Sequence, residues 1–99
     1  MAINGTIKLT RQSTSTNWHT LTDEVTTYLK ANFIDTNKRT FGGESISEDG
    51  LIKTVTYTFA DQTAKNDWVE DVTIQSMLNS RDTYNVANNI DLERTETES

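Results

Sequence analysis

An α+β fold with the element order β-α-β-β-α-β is predicted by three features of the chain. Leu51, Val55, Tyr57 and Phe59 share one parity, with Lys53 the single polar intruder, while Thr54, Thr56 and Thr58 take the other. That period of two marks a strand with one buried face. At Ala60-Asp61 the spacing turns helical, through Ala64, Trp68, Val72 and Gln75, with the Asp61 carboxylate placed to cap the new helix. Just upstream, Glu48-Asp49-Gly50 is a turn signal, because Asp-Gly tolerates positive φ. It joins an earlier strand to this one as an antiparallel hairpin.

The other elements follow in order. Thr6 to Arg11 alternates, with Ile7 and Leu9 inward and Thr6, Lys8 and Thr10 outward; Ile3 shares the inward parity, which allows an earlier start. Ser15, Thr16 and Thr20 each offer a helix N-cap, and Thr20 to Asp23 fits a capping box. A helix is predicted over 17–32. Trp18, Leu21, Val25, Tyr28, Leu29 and Phe33 recur at steps of three and four, Asp23 and Glu24 lie near its start, and Lys30 lies near its end. Residues 34–38 read as a linker and 39–47 as a strand. Phe41 and Ile46 in that strand have opposite parities across Gly42-Gly43, which predicts a one-residue bulge. Residues 76–89 are the least legible: the second helix fades near Gln75, and Arg81 to Ala87 can form a short further turn with Ser80 as cap. Asn88-Asn89 supplies a left-handed stop. Ile90, Leu92 and Arg94 alternate with Asp91 and Glu93 as a last strand. One domain is expected over 1–95, with residues 96–99 an acidic tail expected to fray.

Composition excludes several function classes. Fifteen acidic residues against nine basic ones give a formal net charge of -6, which opposes binding to nucleic acid or an anionic membrane surface. No cysteine is present, so disulfides, thiolate nucleophiles and cysteine-ligated metals are ruled out. No apolar run approaches the length of a membrane span, and a soluble, cytoplasmic protein is expected. Hydrophobic residues make up only 33%, with a mean hydropathy of -0.65, so the core is thin and the aromatics must supply much of it. A second apolar surface buried in a homodimer would add to it.

Right-handed crossovers place both helices on the same face of a four-stranded antiparallel sheet, the ferredoxin-like split βαβ arrangement. With its small size, its Phe59-Ala60-Asp61 corner and its Trp68 helix, the chain resembles the dimeric α+β barrel superfamily, which includes antibiotic-biosynthesis-type monooxygenases. The resemblance implies a homodimer whose helix-free sheet faces meet. Here that face carries Thr6, Lys8, Thr10, Ile52 and the threonines of the central strand. It also implies use of a cleft or barrel interior for small ligands. Haem-degrading members pair an Asn of the first strand with a Trp and a His ligand. Asn4 and Trp68 are present, but no His follows His19, so no haem or other cofactor is expected.

The residue types limit what chemistry is available. His19 is the only histidine, and beside Trp18 at a helix start it reads first as a solvated surface residue. Lys53 is the other candidate for proton transfer, if burial among Val55 and Tyr57 lowers its pKa. Trp18, Tyr57, Trp68 and Tyr84 are candidate ligand-binding side chains, and Trp68 also reads as a core anchor. Lys38 and Arg39 beside the glycine pair could hold an anion. Asp67, Glu70 and Asp71 form an acidic run that reads as solvated helix surface, so no metal site is assigned. Thr54, Thr56 and Thr58 resemble a threonine ladder, although one strand is too little for one. Three functions remain: a homodimeric binding or scaffold module, a cofactor-free monooxygenase-like enzyme acting on an aromatic or polyketide-like substrate, and a virus-encoded assembly or host-interaction protein.

Overall fold

The computed structural model describes residues 1–98. Four strands, β1 (Ile3–Thr10), β2 (Arg39–Ile46), β3 (Ile52–Phe59) and β4 (Asp91–Glu98), form one sheet in the order β2-β3-β1-β4, antiparallel throughout. This is the ferredoxin-like order, with β1 and β3 at the centre. Ile3 opposes Phe59 and Ile7 opposes Val55, so both central strands turn their apolar parity to one face. The helices pack there, and Ile3, Phe33, Tyr57, Phe59, Trp68 and Ile74 form the heart of the core.

The opposite face carries no helix. The register aligns Thr40, Thr58, Asn4 and Thr97 in one row and Thr56, Thr6 and Thr95 in the next. The threonines of β3, too few on one strand to make a ladder, are thus continued by residues of the neighbouring strands. β-Branched side chains suit such a pleated surface. The predicted bulge is present: the β2–β3 register shifts between Phe41 and Gly43, and Gly43 takes a φ of 124° that disfavours any side chain. Phe41 then opposes Tyr57 and Ile46 opposes Lys53, which restores both to one face.

Three helices cover the sheet where two were expected: α1 (Asp23–Leu29), α2 (Gln62–Glu70) and α3 (Val72–Ala87). α1 begins well after Asn17, and its cap is Thr22, whose hydroxyl accepts the Val25 N–H at 3.2 Å. Residues 17–22 are held out of the helix by tertiary contacts. The Arg11 guanidinium stacks over the Trp18 ring at 4.4 Å, and the Asn17 carbonyl accepts the Tyr84 hydroxyl. These contacts outweigh the weak helix propensity of a Thr- and Asn-rich segment. α1 runs into a π-helical turn at Lys30–Ile34, where the Asp35 N–H reaches back to the Lys30 carbonyl at 2.8 Å. The turn carries Phe33, which is buried, into the core.

Asp61 caps α2 as predicted, accepting the Ala64 N–H at 2.8 Å. The helical spacing drawn through Val72 is broken at Asp71, whose extended backbone (φ -70°, ψ 123°) ends α2 and starts α3. The Asp71 carboxylate accepts the Ile74 N–H at 2.9 Å and the Tyr28 hydroxyl at 2.6 Å. α3 is then one continuous helix through the stretch that sequence left illegible, with no separate turn capped by Ser80. It ends at Asn88, and Asn89 takes the left-handed conformation expected there (φ 57°). The tail expected to fray is corrected too. Residues 96–98 belong to β4, with Glu96 opposite Gly5 and Glu98 opposite Ile3; Ser99 lies outside the described residues. Among the described residues no helix is long and apolar enough to cross a membrane.

Candidate functional site

A cavity of about 460 Å³ lies between the helices and the sheet face they cover. Its floor is the inward parity of the strands, including Ile7, Leu9, Val55 and Tyr57, and its roof includes Leu29, Met77 and Leu78. Gly5 makes room at the floor. A Cβ there would fall 2.0 Å from Tyr57 Cζ, so the Tyr57 ring lies across the glycine of the neighbouring strand. Trp68 stands edge-on to Phe33 and Phe59, with ring centroids 5.0 and 5.8 Å away.

Arg39 begins β2 and shares the inward face, opposite Phe59. Its guanidinium stacks 4.4 Å from the Trp68 ring and 4.6 Å from Tyr57. Burial pulls its pKa down to about 10, opposed by Tyr57 and helped by Arg81, and it stays charged at neutral pH. Among the described residues no carboxylate lies within ion-pair distance of it. Its Nε, the Asn85 Nδ2 and the Trp18 Nε1 are buried with no hydrogen-bond partner in the protein. A buried donor left unmatched costs about 1–3 kcal/mol. All three residues line the cavity.

The charge of the lining runs against that of the chain. Arg39, Arg81, Arg94, Lys30 and Lys65 contribute to it, and Glu96 is its one acid, in a protein of net charge -6. Glu96 is already matched within the protein: it accepts the Tyr57 hydroxyl at 2.6 Å and pairs with Lys65. Burial alone would raise its pKa, but the bonds from Lys65 and Tyr57 together hold it below the usual range. The Tyr57 phenol is pushed up, first by burial and then by the Glu96 carboxylate.

The structure gathers some of the sequence candidates and separates others. Trp18, Tyr57 and Trp68 line the cavity, and Trp68 is also buried in the core. His19 lines it as well and is half-buried rather than solvated. Its ring lies 5.4 Å from that of Tyr84, and burial, then Arg81, lowers its pKa. Tyr84 itself faces a shallow groove along α3 instead. Lys53 shares the face of Val55 and Tyr57 but is not part of the cavity wall; its ammonium lies 3.4 Å from Glu44 and over the Trp18 ring. Lys38 and Arg39 part company, Lys38 pairing with Asp67 at 3.2 Å on the surface. Asn4 accepts the Thr58 hydroxyl on the helix-free face, away from Trp68, so the haem-type pair does not converge. Among the described residues no group of three or more His, Asp or Glu side chains converges as a metal site.

Sequence reading missed Arg81, Asn85, Arg94 and Glu96. Ile74, Leu78, Arg81 and Asn85 recur at steps of four, three and four, a signal that becomes readable only once residues 76–89 are known to be helical.

No protein-family model matches the chain, and no curated protein matches it in sequence. Among solved structures the chain is similar to the de novo designed protein Foldit4, at 10% identity and a TM-score of 0.52. That match covers 100% of this chain and 99% of that one. It also aligns with a putative antibiotic biosynthesis monooxygenase from Deinococcus radiodurans, at 14% identity and a TM-score of 0.49, covering 100% of this chain and 92% of that one. The likeness is one of fold.

Proposed function

We propose that this protein is a small homodimeric binding module whose ligand sits in the cavity beneath the helices. The observation that carries this reading is the set of three buried donors, on Trp18, Arg39 and Asn85, that the protein leaves unmatched in the lining of one cavity. Buried polar groups are nearly always paired, and an isolated exception points to a ligand or an ordered water. A cavity of about 460 Å³ lined by many apolar side chains and a smaller set of polar ones has the size and make-up of small-molecule sites. The dimer would form through the helix-free face, where rows made mostly of threonine leave one side of the sheet uncovered. Titration with the neutral fluorophore N-phenyl-1-naphthylamine tests the cavity. Saturable binding of one probe per chain, with quenching of tryptophan emission, is expected, because both tryptophans line it. Non-saturable partitioning would contradict the reading.

A second reading, a cofactor-free enzyme acting on an aromatic or polyketide-like substrate, is favoured by one observation. His19 lines the cavity with a lowered pKa, a neutral imidazole near Tyr84 that could accept a proton. Turnover abolished by His19→Gln with probe binding unchanged would support this reading over the first.

A further inference from the structure

We infer that the ligand of this cavity is an amphipathic anion, a carboxylate or comparable oxyanion on an apolar or aromatic body, anchored by Arg39. The inference rests on the cavity being a ligand site and concerns what it selects. Two independent features point the same way. Each unmatched buried group is an N–H donor, so the partner they lack is an acceptor. The lining also draws five of the chain's nine cationic residues and only one of its fifteen acidic ones. Glu96, that one acid, is occupied by Lys65 and Tyr57 and does not neutralise Arg39.

The other cations differ in how free they are. Lys30 and Arg81 have exposed aspartate partners, Asp35 and Asp82. Arg39 and Arg94 have none among the described residues. Arg39 is the more buried of the two, and its planar guanidinium is already held by the Tyr57 and Trp68 rings. An arginine ordered in this way loses little freedom on meeting an oxyanion and presents a planar fork of donors to it. Asn85 on α3 and Trp18 ahead of α1 approach the same space from other elements. Leu9, Val55, Leu29, Met77 and Leu78 supply an apolar stretch of the same wall, which suits an apolar body on the ligand.

The test compares two probes of nearly the same shape, anionic 1-anilinonaphthalene-8-sulfonate and neutral N-phenyl-1-naphthylamine, on the intact protein. The anion should bind at least tenfold more tightly, and its advantage should shrink as salt is raised. Arg39→Met should remove that advantage and leave the neutral probe bound. Because Arg39 is packed among core aromatics, Arg94→Gln serves as a second variant. It lies at the exposed edge of the cavity and should weaken the anion alone, by about threefold. Equal affinity of the two probes for the wild-type protein would overturn the anion inference and leave the cavity reading standing. Saturable binding of neither would overturn both.

Discussion

The Tyr57 hydroxyl donates a 2.6 Å hydrogen bond to Glu96 across β1, which separates β3 from β4. This contact, with Lys65 on the same carboxylate, fixes the end of the last strand against the floor of the cavity. Glu96→Gln is expected to cost about 1.5–3 kcal/mol at neutral pH, the usual worth of hydrogen bonds to a charged group. The folded Glu96 carboxyl sits below its ordinary value of 4.5, so on acidification the unfolded chain takes up the proton first. The stabilisation is complete above that ordinary value and is lost as pH falls through the lower folded one. Urea denaturation across this range should show the wild-type advantage over Glu96→Gln shrinking toward low pH. Parallel profiles would contradict this role.

Gly5 is where β1 yields to the Tyr57 ring. Gly5→Ala places a methyl group inside that ring, and strand pairing on both sides of β1 leaves the backbone little room to move. A loss of about 1–3 kcal/mol is expected from overpacking. Chemical denaturation should register it, and Tyr57→Leu in the same chain should recover part of it. Without that recovery, the ring is not what excludes a side chain.

Asp71 ends one helix, caps the next and receives Tyr28 from α1. Asp71→Ala is expected to lower stability by about 1–2 kcal/mol, as loss of an N-cap does. Asp71→Asn keeps an acceptor for the Ile74 N–H and should cost less. If denaturation midpoints show equal losses, the charge rather than the cap is what matters there.

The threonine rows predict an interface. Light scattering on a size-exclusion column should give twice the 11.2 kDa chain mass. Thr56→Lys, which sets a charge in the middle of the rows, should yield a folded monomer with an unchanged circular dichroism spectrum. A wild-type monomer would leave that face open to solvent and the dimer proposal without support.

What was legible in the sequence was set by local chemistry. The alternation of β3, the Asp61 cap, the bulge at Gly42-Gly43 and the left-handed Asn89 each depend on a few adjacent residues, and the structure bears each of them out. What was not legible depends on distant partners. The late start of α1 follows from Arg11 and Tyr84 holding the segment before it. Residues 96–98 are ordered by pairing with β1 and by Tyr57 and Lys65 on Glu96, and an acidic terminus read alone gives no hint of these partners. The site was half visible for the same reason. Aromatic candidates stand out by type, and Arg39 reads as an anion holder, but its place among Tyr57 and Trp68 follows from the β2–β3 register rather than from the glycines beside it.

The most direct measurement is a 1H–15N correlation spectrum of the labelled protein titrated with decanoate, with decanol as the neutral control. Decanoate should shift the Trp18 indole, Arg39 Nε–H and Asn85 amide signals together at one saturable affinity, and decanol should move the apolar lining with little effect on Arg39. Decanoate shifts spread over the threonine face or the α3 groove, with these three signals unmoved, would contradict a ligand site at this cavity.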